Sequence, residues 1–272
     1  MFGKLLKYDF RSMLKQFAFI WPAALVLAVV NRFTLSGLDS TSATGETVAA
    51  IAMFVFVSIM IAMFVIAVIF TVQRFYKGLL GDEGYLMHTL PVRPWALIAS
   101  KLVCAVVLTV ISIVIAIVSI LVIVSPVVDI REIFHVLRWF WEALRGNTNV
   151  INAFLVILEF LLLLLVGMAQ SYLMLYLAMA IGHLFNKNRA AMSVAAYIGI
   201  HVVVSMLLSS INNIFGDMLG DFLSDLFWGK SGYPVWQSLH MSLWFSILFV
   251  GIGGAVYFFL TEYILRRRLN LE

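Results

Sequence analysis

Six apolar runs, separated by short polar stretches, leave this chain little choice of solvent. They are Phe17–Phe33, Val48–Val72, Leu102–Val124, Ala153–Ile181, Ala190–Ile211 and Leu239–Leu265. A helix needs about 20 apolar residues to cross the hydrocarbon of a bilayer. The first run is the weakest, being short and carrying Pro22, while Ala153–Ile181 is long enough to tilt or project. The chain is 63% hydrophobic and 12% charged, about half the charge of a soluble domain. A soluble fold has no way to hide so much apolar surface. Backbone amides in lipid must be paired within their own segment, so each run is expected to be helical. The expected fold is therefore an all-α integral membrane protein with six transmembrane helices, forming one transmembrane domain over residues 1–272.

The polar segments carry the orientation. Before the first run, residues 1–16 place Phe2, Leu5, Leu6, Phe10, Met13 and Leu14 at helical spacing, with Lys4, Lys7, Arg11 and Lys15 on another face. The pattern predicts a basic amphipathic helix lying in the interface, its basic face toward anionic headgroups. It is not a signal peptide, because no small-residue cleavage site follows it. Alternating sides from run to run puts thirteen basic residues on one side and five on the other, out of eighteen. Basic residues collect on the cytoplasmic side. Both termini are thus expected to be cytoplasmic, in a cytoplasmic membrane. The lone cysteine, Cys104, lies in an apolar run and has no intramolecular disulfide partner.

Two segments fall on the opposite, extracytoplasmic side, at 127–150 and 212–238. In the first, Arg131, His135, Arg138, Glu142 and Arg145 follow helical spacing and make one polar stripe, with Trp139 nearby. In the second, Asp217, Asp221 and Asp225 are spaced four apart. Both read as short amphipathic helices on the outer face. The aspartates make a solvated face more readily than a metal cage, since ligands on one helix face do not converge on an ion. No metal site is expected.

The longest basic interruption is Gln73–Lys101, a cytoplasmic segment (residues 73–101) between the second and third runs. Gly78 and Gly81 loosen its backbone. Asp82 and Glu83 suit the positive end of a short helix. Pro91 stops that helix and Pro94 fits the first turn of the next. Trp95 and Lys101 are expected to hold the interface. Tyr85, Leu86, Met87 and Leu90, beside His88, would meet water unless a partner covered them, and such a patch marks a docking site. The alternative is a re-entrant loop packed on the protein's own bundle.

The interfacial N-terminal helix, the six spans and the sequence Glu83, Gly84, Leu86, Leu90, Pro91, Val92 and Lys101 together resemble the permease subunits of ABC-2 type transporters. In that family the matching segment is a coupling helix that fits a groove on a separate ATP-binding subunit. The interval from Gly84 to Pro91 is shorter than in better-known members, and Met87 or His88 stands near the place of the family's second glutamate. The resemblance implies Asp82, Glu83, Tyr85, Leu86, Met87, His88 and Leu90 as the ATPase-coupling residues. It also implies two ABC ATPase subunits, a second permease copy in a homo- or heterodimer, and an export function. The chain contains no GxxxxGK[ST] sequence, so it lacks its own phosphate-binding loop. ATP and Mg are then expected on the partner, with no cofactor on this chain. Nothing suggests nucleic acid.

Polar residues inside spans mark paths or seams, because lipid penalises them. Asn152, Glu159 and Gln170 lie on one side of the fourth run, and Glu159 has His201 as a possible partner. On the fifth run Tyr197, His201, Ser205, Ser209 and Asn212 form a ridge that suits a path, a dimer seam or interhelical hydrogen bonding. Gly251, Gly253 and Gly254 read as close packing. The enzyme reading has little to stand on. There is no GxSxG or HExxH, and His183, His201 and His240 are scattered. The remaining alternatives are a secondary transporter, which calls for repeats and broken spans that are not evident, and a non-transporting membrane partner. An amphipathic or hydrophobic cargo, a peptide such as a bacteriocin or toxin first, completes the expectation.

Overall fold

The structure, a computed structural model, describes residues 2–37, 43–80, 94–124, 135, 138, 139, 142, 148–185, 188–228 and 235–267. These residues are helical almost throughout, and no strand occurs among them. In chain order the helices are α1 (Phe2–Phe17), α2 (Ile20–Gly37), α3 (Ala43–Phe75), α4 (Pro94–Val124), α5 (Thr148–Gly182), α6 (Arg189–Trp228) and α7 (Val235–Arg267). A π-helical turn, Tyr76–Leu80, ends α3. Among the described residues, five helices contain stretches long and apolar enough to cross a membrane: Ala50–Leu79, Pro94–Ile123, Val150–Gly182, Arg189–Ser210 and Trp236–Arg266. This is a membrane protein. A sixth span exists only if Phe2–Lys15 and Ile20–Thr34 are counted as one broken helix, bent by 41°. The six expected spans are thus five clear ones and one that depends on this bend.

One outer segment departs from the expected plan. The acidic segment was expected as a separate short helix, but α6 runs unbroken for 40 residues. No proline interrupts it before Trp228, and Gly216 and Gly220 alone do not end a helix. At 1.5 Å per residue it is about 60 Å long, twice the hydrocarbon thickness. The aspartates at 217, 221 and 225 therefore sit on the part beyond the span Arg189–Ser210. Of the other polar stripe, His135, Arg138 and Glu142 are described, helical and exposed. Arg138 Nε donates to Glu142 Oε1 at 3.0 Å, one turn away. Arg131 and Arg145 lie outside the described residues.

The chain divides into two compact units. The first holds Met1–Arg74 and Val103–Glu142. Here α1 lays Met13 and Phe17 against Ala67 of α3 and Cys104 and Leu108 of α4, all at 2% exposure or less. Phe17 stacks at a tilt on Trp21 and meets Phe70 edge-on. The apolar face of α1 is thus covered partly by the chain itself, whereas a purely interfacial helix would give it to lipid. Lys4, Lys7, Arg11 and Lys15 are exposed, as the pattern predicts. Asp9 is fully buried at 0% and pairs with Arg74 Nη2 at 3.2 Å. The Arg74 guanidinium also lies 5.8 Å from the centre of the Tyr8 ring. Deeper in the unit, Trp21 Nε1 donates to Ser112 Oγ and Asn31 Nδ2 donates to the Ala52 carbonyl, each at 3.0 Å. The Cys104 thiol faces the Leu6 carbonyl at 3.8 Å.

The second unit holds Phe75–Leu102 and Ala143–Glu272. Its frame is α5 beside α7, running parallel. Glu159 meets His240 and Trp244, Gly251 faces Val166, and Gly253 and Gly254 face Gln170. The three glycines are a close-packing seam, as expected. A methyl on Gly253 would fall 2.7 Å from Gln170 Nε2, and one on Gly254 would fall 3.6 Å from Gln170 Cβ. Small residues let backbones approach where lipid supplies no hydrophobic drive for helices to associate.

Candidate functional site

The expected coupling residues Asp82, Glu83, Tyr85, Leu86, Met87, His88 and Leu90 all lie outside the described residues, which stop at 80 and resume at 94. Both edges of that segment are described, and both are firmly packed inside the second unit. Phe75 stacks flat on Tyr176 of α5, centroids 4.0 Å apart and planes 7° from parallel. Tyr76 lies on the His183 ring at 5.0 Å. Leu79 is fully buried. On the far edge α4 begins at Pro94, whose fixed φ and missing amide proton suit a first turn. Leu97 and Ile98 are buried at 2% and 0%. Trp95 is 43% exposed, in keeping with an interfacial anchor.

Lys101 corrects the sequence reading. It was expected at the interface, yet only 2% of it is exposed. The reason lies in Gly78. With no side chain there, the π-turn leaves room for the lysine, whose Nζ and Cε sit 2.9 and 3.3 Å from where a Cβ would be. The segment's two edges therefore interlock through one glycine and one lysine. A π-turn is itself common at functional positions.

Just beyond the span, His183 closes the end of α5. Its Nε2 is buried and makes no hydrogen bond among the described residues. Burial first, and then the Arg189 guanidinium, hold its pKa below the ordinary histidine value, because both disfavour the imidazolium.

The polar residues of the spans form two separate sets. Glu159 does not pair with His201. Its Oε2 lies 2.8 Å from His240 Nδ1, within hydrogen-bond distance, and its Oε1 accepts from Trp244 Nε1 at 3.0 Å. The physical reason is the parallel packing of α5 and α7, which brings Glu159 level with the first turns of α7. Beside this clasp a recess of about 440 Å³ is lined by Asn152, Trp236, Gln237, His240, Met241 and Trp244. Gln170 sits further along the same seam, against Gly253 and Gly254. The second set stays apart on α6. Tyr197 and His201 meet edge-on at 4.8 Å, and His201, Ser205 and Ser209 are exposed. The side chain of Asn212 is outside the described residues.

Two participants escaped the sequence reading. His240 and Trp244 are one turn apart, which was a usable signal, but pairing them with Glu159 required knowing that α5 and α7 are neighbours. No group of three or more histidine, cysteine or acidic side chains able to hold a metal occurs among the described residues. Compared with known proteins, the chain matches no family model, no curated protein and no solved structure.

Proposed function

We propose that this chain is the permease subunit of an ABC-2 type exporter. The reading places residues 82–90 in the cytosol as the surface that a separate ABC ATPase grips, with both termini on the same side. The observation that carries it is the mount on which that segment stands. Its entry is fixed by Phe75 on Tyr176 and Tyr76 on His183, and its exit by Leu97, Ile98 and Lys101. A push on a segment with loose ends would be absorbed there. A push on this one would reach α5 through two aromatic contacts. The absence of a phosphate-binding loop in the sequence assigns ATP and Mg to the partner.

In this reading two ATPases close on ATP, press on Asp82–Leu90 and rock the spans between inward and outward states. The exposed ridge of His201, Ser205 and Ser209 on α6 would be covered by a second permease copy or face a watery path, since lipid penalises bare polar groups. The cargo is amphipathic or hydrophobic, peptides first. The test is a double substitution, Tyr85→Asp with Leu86→Asp. Membrane insertion should survive and ATPase binding should be lost. Retained binding sinks the coupling assignment.

A further inference from the structure

The recess above the Glu159 clasp has the makings of a ligand site that is separate from the coupling segment. Its depth places it near one end of two spans. Glu159 lies about 16 Å along α5 from Thr148, and His240 and Trp244 lie about 8 and 14 Å along α7 from Val235. That is toward the ends of the spans Val150–Gly182 and Trp236–Arg266, where a helix leaves the hydrocarbon for the headgroups. Amphipathic molecules concentrate at this depth, and tryptophans favour it.

The charge of the site selects the sign of its ligand. Both Glu159 oxygens are already hydrogen-bonded, to His240 Nδ1 and Trp244 Nε1. The Glu159 carboxyl group stands directly behind His240 and Trp244, two of the residues that line the recess. None of the six lining residues is a lysine or arginine. An anion finds no counter-charge here, whereas a cation does.

The walls suit a particular kind of cation. Trp236 and Trp244 both line the recess, and Met241 adds a polarizable surface. An indole face attracts a cation within about 6 Å, more strongly when water is excluded. The Asn152 and Gln237 amide oxygens add acceptors for a protonated amine. A volume near 440 Å³ is in the range of small-molecule pockets. Along α7 below the recess Phe245, Leu248 and Phe249 are exposed, which gives an apolar tail a surface to follow.

We propose that this recess binds the charged head of a lipophilic organic cation, a quaternary or protonated amine or its equivalent. The carboxylate of Glu159 supplies the field, with Trp236 and Trp244 supplying the walls. The proposal stands whether or not an ATPase drives the chain.

The test uses the full chain in phosphatidylcholine nanodiscs with radiolabelled tetraphenylphosphonium. Tetraphenylborate, of the same shape and opposite charge, is the control. The wild type should bind the phosphonium saturably at one per chain, and the borate without saturation. Glu159→Gln should weaken the phosphonium about tenfold, as removal of a nearby unit charge implies. Gln237→Lys leaves the clasp intact and puts a cation on the wall, so it should weaken binding by at least as much. It also decides the matter if Glu159→Gln fails to fold. Unchanged phosphonium binding in either folded variant overturns the proposal, and so does equal saturable binding of the borate.

Discussion

Two glycine-to-alanine substitutions, both at close contacts, should differ in cost. Gly182 is the last residue of α5. A methyl group there would lie 2.6 Å from both the Cα and the N of Ser193 on α6, and would also press on the Ser193 Oγ. Backbone atoms cannot step aside, so α6 itself must shift. Gly78 also has a close neighbour, but that neighbour is the tip of Lys101, at 2.9 Å to Nζ and 3.3 Å to Cε. A side-chain end can move by a few tenths of an ångström. Alanine in place of glycine gains at most about 1 kcal/mol of helix propensity. Overpacking a well-filled site costs about 1–3 kcal/mol. A backbone contact belongs at the upper end, so Gly182→Ala should lose about 2 kcal/mol net, and Gly78→Ala should stay within about 1 kcal/mol of the wild type. Thermal unfolding in detergent, followed by tryptophan fluorescence, reads the difference as a fall in Tm of about 5 °C for the first. Adding Ser193→Gly should not rescue it, because the contact with the Ser193 backbone remains. A Gly182→Ala protein as stable as the wild type, or one rescued by Ser193→Gly, refutes the reasoning.

Two further outcomes follow from buried charge. Asp9→Ala removes one partner of a pair whose acid is fully buried and whose Arg74 side chain is 15% exposed. Removing one side of a buried ion pair costs about 3–5 kcal/mol, and the partial exposure of Arg74 points to the lower end. Amide exchange along α1 should quicken in that variant, and unchanged protection would discount the pair. His183 gives a pH effect of definite sign. Its folded pKa lies below its unfolded one, so the unfolded chain binds the proton first as pH falls. Stability should therefore decline below about pH 6.5 and level off once the folded pKa is passed. His183→Gln should remove that part of the slope in a Tm series, and an identical slope in the variant would show that His183 does not cause it.

Much of the helical plan was legible because lipid imposes length and apolarity together. The runs at 48–72, 102–124 and 239–265 each lie inside a helix of the structure. Pro94 marked a helix start through its covalent geometry alone. The glycine seam on α7 was legible for a similar reason, since small residues in an apolar span have few other uses. The failures share a cause. The apolar stripe of α1 looks the same whether lipid or α3 and α4 cover it, so the burial of Met13, Phe17 and Asp9 was invisible. Lys101 looked like an interfacial anchor because its burial depends on an absence, the missing side chain of Gly78, across a chain interval of more than twenty residues. Glu159 announced that it needed a partner, but the choice between His201 and His240 depends on which spans are neighbours. The continuation of α6 to Trp228 was missed because its polarity changes at the span's end while its helical propensity does not.

The central claim is that residues 82–90 couple this chain to an ATPase, and one measurement reaches it directly. The chain would be expressed with a candidate ABC ATPase, captured through this chain alone, and assayed for ATP hydrolysis in lipid. The account predicts a stable complex with vanadate-sensitive hydrolysis that disappears when Tyr85 and Leu86 are both changed to Asp. A chain that purifies alone and inert, or a complex indifferent to those substitutions, would contradict it.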